Sequence, residues 1–172
     1  MKQLKHGIIL GIFFVLIIGT MNHFLYDWSD QNLIVGLFTP VNESVWEHIK
    51  LLFFPMLIYS FIMIYKWKRE YPCVTSAFFF GILAGTLLIP LIYYAYTSIL
   101  GKNCFVLDIS TFILSVIISF WISYKYTLSC RLKSFTLILC VSVCFLSICF
   151  FIFTYHAPNI TIFLAPSVST NK

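Results

Sequence analysis

Five stretches of this 172-residue chain are long and apolar enough to cross a bilayer, and no other feature limits the fold as strongly. A spanning helix needs roughly 20 mostly apolar residues, because about 30 Å of hydrocarbon is crossed at about 1.5 Å per residue. Runs that satisfy this cover about 7–26, 49–65, 75–100, 105–124 and 135–155. Composition agrees, with 60% of residues hydrophobic and only 10% charged, against about 25% charged in soluble domains. A chain this short has too little interior to hide so much apolar surface. A soluble enzyme, a nucleic-acid module and a disordered chain are excluded. The expected architecture is an all-α integral membrane protein, one membrane domain of five transmembrane helices.

Lys2 and Lys5 precede the first apolar run, as in a signal peptide. No Ala-x-Ala-like site follows, and the run is long enough to span, so it reads as a retained helix. Orientation follows from the basic residues. Lys2, Lys5, Lys66, Lys68, Arg69, Lys125, Arg131 and Lys133 share one side, while Lys50, Lys102 and Lys172 share the other. The excess of Lys and Arg in cytoplasmic loops places the N-terminus inside and the C-terminus outside a plasma or inner membrane. The net charge of +5 then records loop placement and not a nucleic-acid surface.

That topology gathers titratable groups at the outer face. Asp27, Asp30, Glu43, Glu47 and Asp108 fall there, with only Glu70 inside; His23, His48 and His156 fall there, with only His6 inside. The cysteines carry no Cys-x-x-Cys pair. Cys73 and Cys130 are expected as reduced thiols on the cytoplasmic side and Cys104 alone outside, with Cys140, Cys144 and Cys149 as small hydrophobes in the last span. Neither a disulfide framework nor a zinc knuckle is expected.

The segment from Asp27 to Lys50 is too polar to span and too apolar for a plain loop. Leu33 to Phe38 reads as a short piece lying in the outer interface, and Thr39-Pro40 as a helix start, since Pro suits the first helical position. On a helix running from Val41, Glu43, Ser44, Glu47, His48 and Lys50 fall within an arc of roughly 160°, opposite Val41, Val45, Trp46, Ile49, Leu52 and Phe53. This predicts an amphipathic interfacial helix leading into the second span. Pro55 and Pro90 are expected to kink the second and third spans.

Ionisable groups near hydrocarbon are costly and usually face the bundle interior, paired or holding an ion. A carboxylate and imidazole cluster suits zinc or another divalent first-row metal. The candidate metal ligands are His23, His48 and His156, with Asp108 about one turn into the fourth span. Glu43 or Glu47 is the candidate general base, and Ser44 the candidate group for polarising substrate or bound water. Asp27, one turn beyond His23, and Asn42 are candidate supporting residues behind the ligands. The same residues also read as a solvated polar face on an interfacial helix, and the histidines as ordinary interfacial ones.

The run Pro40-Val41-Asn42-Glu43-Ser44-Val45-Trp46-Glu47-His48 resembles a segment of a bacterial group of small multi-pass membrane proteins known only as a domain of unknown function. The resemblance extends to an upstream His at His23 and a late His-x-Pro at His156 and Pro158, and covers most of the chain. It implies residence in a bacterial membrane and no established activity. A looser similarity is to membrane-embedded zinc hydrolases of the ceramidase and adiponectin-receptor type, which collect His, Ser and Asp from several helices at one leaflet. Two functions follow from these readings. One is a metal-dependent hydrolase of a lipid or another membrane-associated substrate. The other is a non-enzymatic small carrier, ion-handling protein or membrane partner subunit.

Overall fold

A computed structural model describes residues 2–165. Lys172, counted above among the outer basic residues, lies outside them. The elements are α1 (Lys2–Trp28), α2 (Leu33–Phe38), α3 (Val45–Trp67), α4 (Val74–Leu100), α5 (Phe105–Ser129) and α6 (Thr136–Tyr155), with short 3-10 turns at Lys133–Phe135 and Thr161–Phe163. All but α2 are long and apolar enough to span a bilayer, so the five expected spanning helices are present.

Four of these helices close a ring in which α1 packs on α3 and α5, and α4 on α3 and α5; α6 lies outside against α4. Aromatic side chains tie α6 to α3 as well, through Phe150 on Phe53 and Trp46 at centroid separations of 5.0 and 4.7 Å. The closest seam joins α4 to α5. A side chain on Gly85 would collide with Ser119, and one on Gly81 with Ser123. On α5, Ser119, Ser123 and Thr127 are buried, and each hydroxyl donates to the carbonyl four residues before it. Small residues are what lets apolar helices approach in lipid, where burial alone gives little attraction between them.

Two expectations are corrected here. The helix into the second span does not begin at Thr39-Pro40. It begins at Val45, with Ser44 as its cap. Asn42 Oδ1 accepts from Ser44 N at 2.9 Å, and Ser44 Oγ accepts from Glu47 N at 3.3 Å. These side chains compete for the backbone before the helix and suit its cap, so they outweigh the preference of Pro40 for a first turn. Glu43 and Ser44 therefore share no helical face with Glu47, His48 and Lys50. Second, Cys73 and Cys130 are joined as a disulfide, with Cα atoms 5.3 Å apart. Their separation of 57 residues carried no sign of pairing; the α3–α4 and α5–α6 turns meet at the end of the bundle where α1 begins.

Helices α3 and α4 continue through Pro55 and Pro90. A proline lacks the N–H that would engage the carbonyl four residues earlier. For Pro55 that carbonyl belongs to Leu51, and it faces Gly19 of α1 so closely that a Cβ there would sit 2.5 Å from it. This contact sets the spacing of α1 and α3 one turn below the polar cluster.

Candidate functional site

His23 lies one turn beyond Gly19 on α1, and His48 one turn before Leu51 and Leu52 on α3, so the close approach at Gly19 lays the two imidazoles against each other. Their Nε2 atoms are 3.2 Å apart. Glu43, in the loop before α3, brings Oε2 to 3.3 Å from His48 Nε2 and 3.8 Å from His23 Nε2. Among the described residues the acceptor beside His48 Nδ1 is the Ser44 carbonyl, at 2.9 Å. Nδ1 must therefore carry the proton, and Nε2 is the atom turned to the cluster, the arrangement by which metal-binding histidines are usually oriented. When the His48 ring carries a second proton on Nε2, donation from it holds the Glu43 carboxyl below the usual carboxylate range; partial burial works against this, and the charges of protonated His48 and His23 work with it.

Two donors each about 2.05 Å from a tetrahedral zinc sit about 3.3 Å apart. Two of the three separations found here are within about 0.1 Å of that value, and the third is about 0.5 Å longer. His23, Glu43 and His48 are the set that could hold a metal among the described residues. Two imidazoles and one carboxylate leave a coordination position open, as catalytic zinc sites do. The set lines a cavity of about 440 Å³ inside the α1–α3–α4–α5 ring, whose far wall includes Asp108, Tyr93 and Asn103.

The loop carrying Glu43 is held from below. Lys50 is 0% exposed, and its ammonium donates to Glu47 Oε2 at 2.8 Å, Thr154 Oγ1 at 2.6 Å, Gly36 O at 3.0 Å and Thr39 O at 3.3 Å. Four acceptors around three N–H groups satisfy the charge completely. Gly36 and Thr39 lie at the C-terminal end of α2, where the helix dipole also favours a cation. Glu47 Oε2 in turn accepts from Val41 N at 2.9 Å. One buried ion pair thus fastens α2, the 39–44 loop, α3 and α6 together.

The expected site residues accordingly separate. His23, His48 and Glu43 come together. Asp108 lines the same cavity, where its carboxylate accepts from the Tyr96 hydroxyl. Glu47 is 1% exposed and committed to Lys50 and Val41, and Ser44 is buried as a cap, so neither faces the cavity. Asn42 supports the loop through Ser44 N. Asp27 is exposed, and His156 ends α6 exposed to its surroundings, outside the cluster. Lys50, expected on the outer polar arc, is inside the protein. Its position three residues after Glu47 in an otherwise apolar run was the available signal, because lysine at membrane depth needs a partner. Nothing in the local sequence pointed to Thr154, 104 residues away.

The model of a family described as "Family of unknown function (DUF6512)" matches residues 1–170. The chain belongs to the DUF6512 family. A search of the curated proteins finds no match, nor does a search of the solved structures. The resemblance to a group of unknown function is thereby placed on nearly the whole length of this DUF6512 chain, with its cluster contributed by α1, α3 and the loop between them.

Proposed function

We propose that this DUF6512 protein is a metal-dependent hydrolase of a lipid or another membrane-associated substrate. The observation that supports this best is the spacing of His23 Nε2, His48 Nε2 and Glu43 Oε2, close to the edges of a zinc tetrahedron on the wall of a cavity. A metal held there would polarise the scissile group and lower the pKa of a bound water to about 7. Asp108 is the carboxylate left on the cavity wall to take a proton from that water, and Tyr96 orients it. The water oxygen goes to the acyl or phosphoryl centre and one proton to the leaving oxygen or nitrogen, so no redox partner is needed. The Lys and Arg asymmetry supports an extracytoplasmic site, since Lys2, Lys5 and the basic turns lie at the opposite end of the bundle.

One observation favours the non-enzymatic alternative: the 3.2 Å contact between imidazoles also closes as a proton-sharing hydrogen bond without any ion. Elemental mass spectrometry of the purified protein tests the metal on which the hydrolase depends. Near-stoichiometric zinc is expected in the wild type and in His156→Ala, and its loss in His23→Ala and His48→Ala. No metal in the wild type after zinc addition would overturn the hydrolase and leave an ion- or proton-handling cluster.

A further inference from the structure

The cavity is built asymmetrically. Leu51, Ile89 and Phe112 form its inner wall, and Phe24 of α1 with Phe105 and Ile109 of α5 lines it from the membrane side. These last three are 48%, 76% and 44% exposed. Exposed apolar residues on spanning helices face hydrocarbon, so the α1–α5 side of the cavity is the side turned to the bilayer. The polar lining includes His23, Glu43 and His48 on one wall and Tyr93, Asn103 and Asp108 on the wall across from them.

The charge of that lining limits what the cavity takes. No Lys or Arg lines the cavity among the described residues. Lys50 is occupied elsewhere, and Lys102 is exposed in the α4–α5 turn. The fixed charges are the carboxylates of Glu43 and Asp108, and one divalent metal would just balance them. A phosphate or free carboxylate head would therefore find no positive charge to spare, while an uncharged ester, amide or hydroxyl head can hydrogen-bond to Asn103 and Tyr93. The volume of about 440 Å³ is near the lower end of pockets that enclose one small ligand, about 300–1,000 Å³. That is room for one chain with its head.

We propose that the cavity takes a single-chain amphiphile with an uncharged polar head, which enters sideways from the bilayer between α1 and α5. The charge of the head rests on the metal reading; the single chain and the sideways access rest on the cavity alone.

The test is native mass spectrometry of the protein in nanodiscs offered mono-oleoylglycerol, oleoyl lysophosphatidic acid or dioleoylglycerol, with zinc measured on the same samples. One mono-oleoylglycerol per chain is expected on the wild type, with the other two at least tenfold weaker. Ile109→Trp, which adds bulk on the membrane side of the cavity, and Ile89→Phe, which fills the inner wall, should each reduce mono-oleoylglycerol binding at least tenfold. Equal binding by both folded variants, or preference for the anionic or two-chain lipid, overturns the proposal. Zinc absent with selective mono-oleoylglycerol binding retained would refute the metal reading and leave the single-chain cavity standing. Zinc present without selective binding would do the reverse.

Discussion

Lys50→Met removes one charge from the centre of the molecule and keeps the volume and length of the side chain nearly constant. The variant leaves the Glu47 carboxylate buried with only the Val41 N–H to answer it, and leaves Gly36 O and Thr39 O without their donor. Thr154 loses least, since its hydroxyl still donates to Phe150 O at 2.6 Å. Removing one partner of a buried ion pair costs about 3–5 kcal/mol. In a chain of this length each kcal/mol lowers Tm by about 2–4 °C, so a fall of about 6–20 °C is expected in thermal unfolding followed by circular dichroism in a fixed detergent. Glu47→Gln combined with Lys50→Met removes both charges and should recover part of the loss, because a buried pair replaced as a unit is often near neutral. Recovery should be incomplete, as each carbonyl left bare costs about 1–3 kcal/mol. The two substitutions should therefore be strongly non-additive. If Lys50→Met unfolds within about 2 °C of the wild type, or the double variant loses the sum of the singles, the ion pair does not fasten the loop as described.

Three other perturbations probe the remaining supports. Gly19→Ala places a methyl 2.5 Å from the Leu51 carbonyl and 2.7 Å from the Phe112 ring, and overpacking of that kind costs about 1–3 kcal/mol. Zinc affinity should fall through the displaced His23 while far-ultraviolet circular dichroism stays helical; unaltered affinity would show that α1 spacing does not set the cluster. Glu43 has a depressed carboxyl pKa, so its interaction with His48 is present above the ordinary glutamate pKa of about 4.3 and is lost as pH falls through the lower folded value. With its side chain 70% exposed the gain is under about 1 kcal/mol, and Glu43→Gln should flatten the acid limb of stability between pH 5 and 3, read by denaturant unfolding at each pH. A limb unchanged in the variant would remove that pairing. Finally, the Cys73–Cys130 bond lies at the basic end of the bundle, away from Cys104 in the α4–α5 turn. If the basic end faces the cytoplasm, Cys104 should be labelled by an impermeant maleimide in intact cells. Labelling of Cys104 only after the cells are opened would reverse the orientation.

Much of the architecture was legible in the chain because the bilayer reads a sequence almost one residue at a time. Length and apolarity decide whether a segment spans, and both are local quantities. The five spans and the concentration of acids and histidines toward alternate connections followed from that; His23 and His48 as metal ligands and Glu43 as a general base were candidates from the chemistry of their side chains. What the sequence by itself did not determine was which polar groups meet. Helical periodicity placed Glu43, Ser44, Glu47, His48 and Lys50 on one arc, yet the capping bonds of Asn42 and Ser44 start the helix four residues later than Pro40-Val41 suggested and send these five side chains three ways. Glu47 and Lys50 turn inward because the end of α2, 14 residues before Lys50, folds back over it and Thr154, 104 residues after it, supplies a further acceptor. The disulfide and the contact of Gly19 with the Leu51 carbonyl are likewise properties of packing between helices distant in sequence. Spanning is a property of single segments, whereas a site is a property of their crossings, and only the tertiary structure specifies where helices cross.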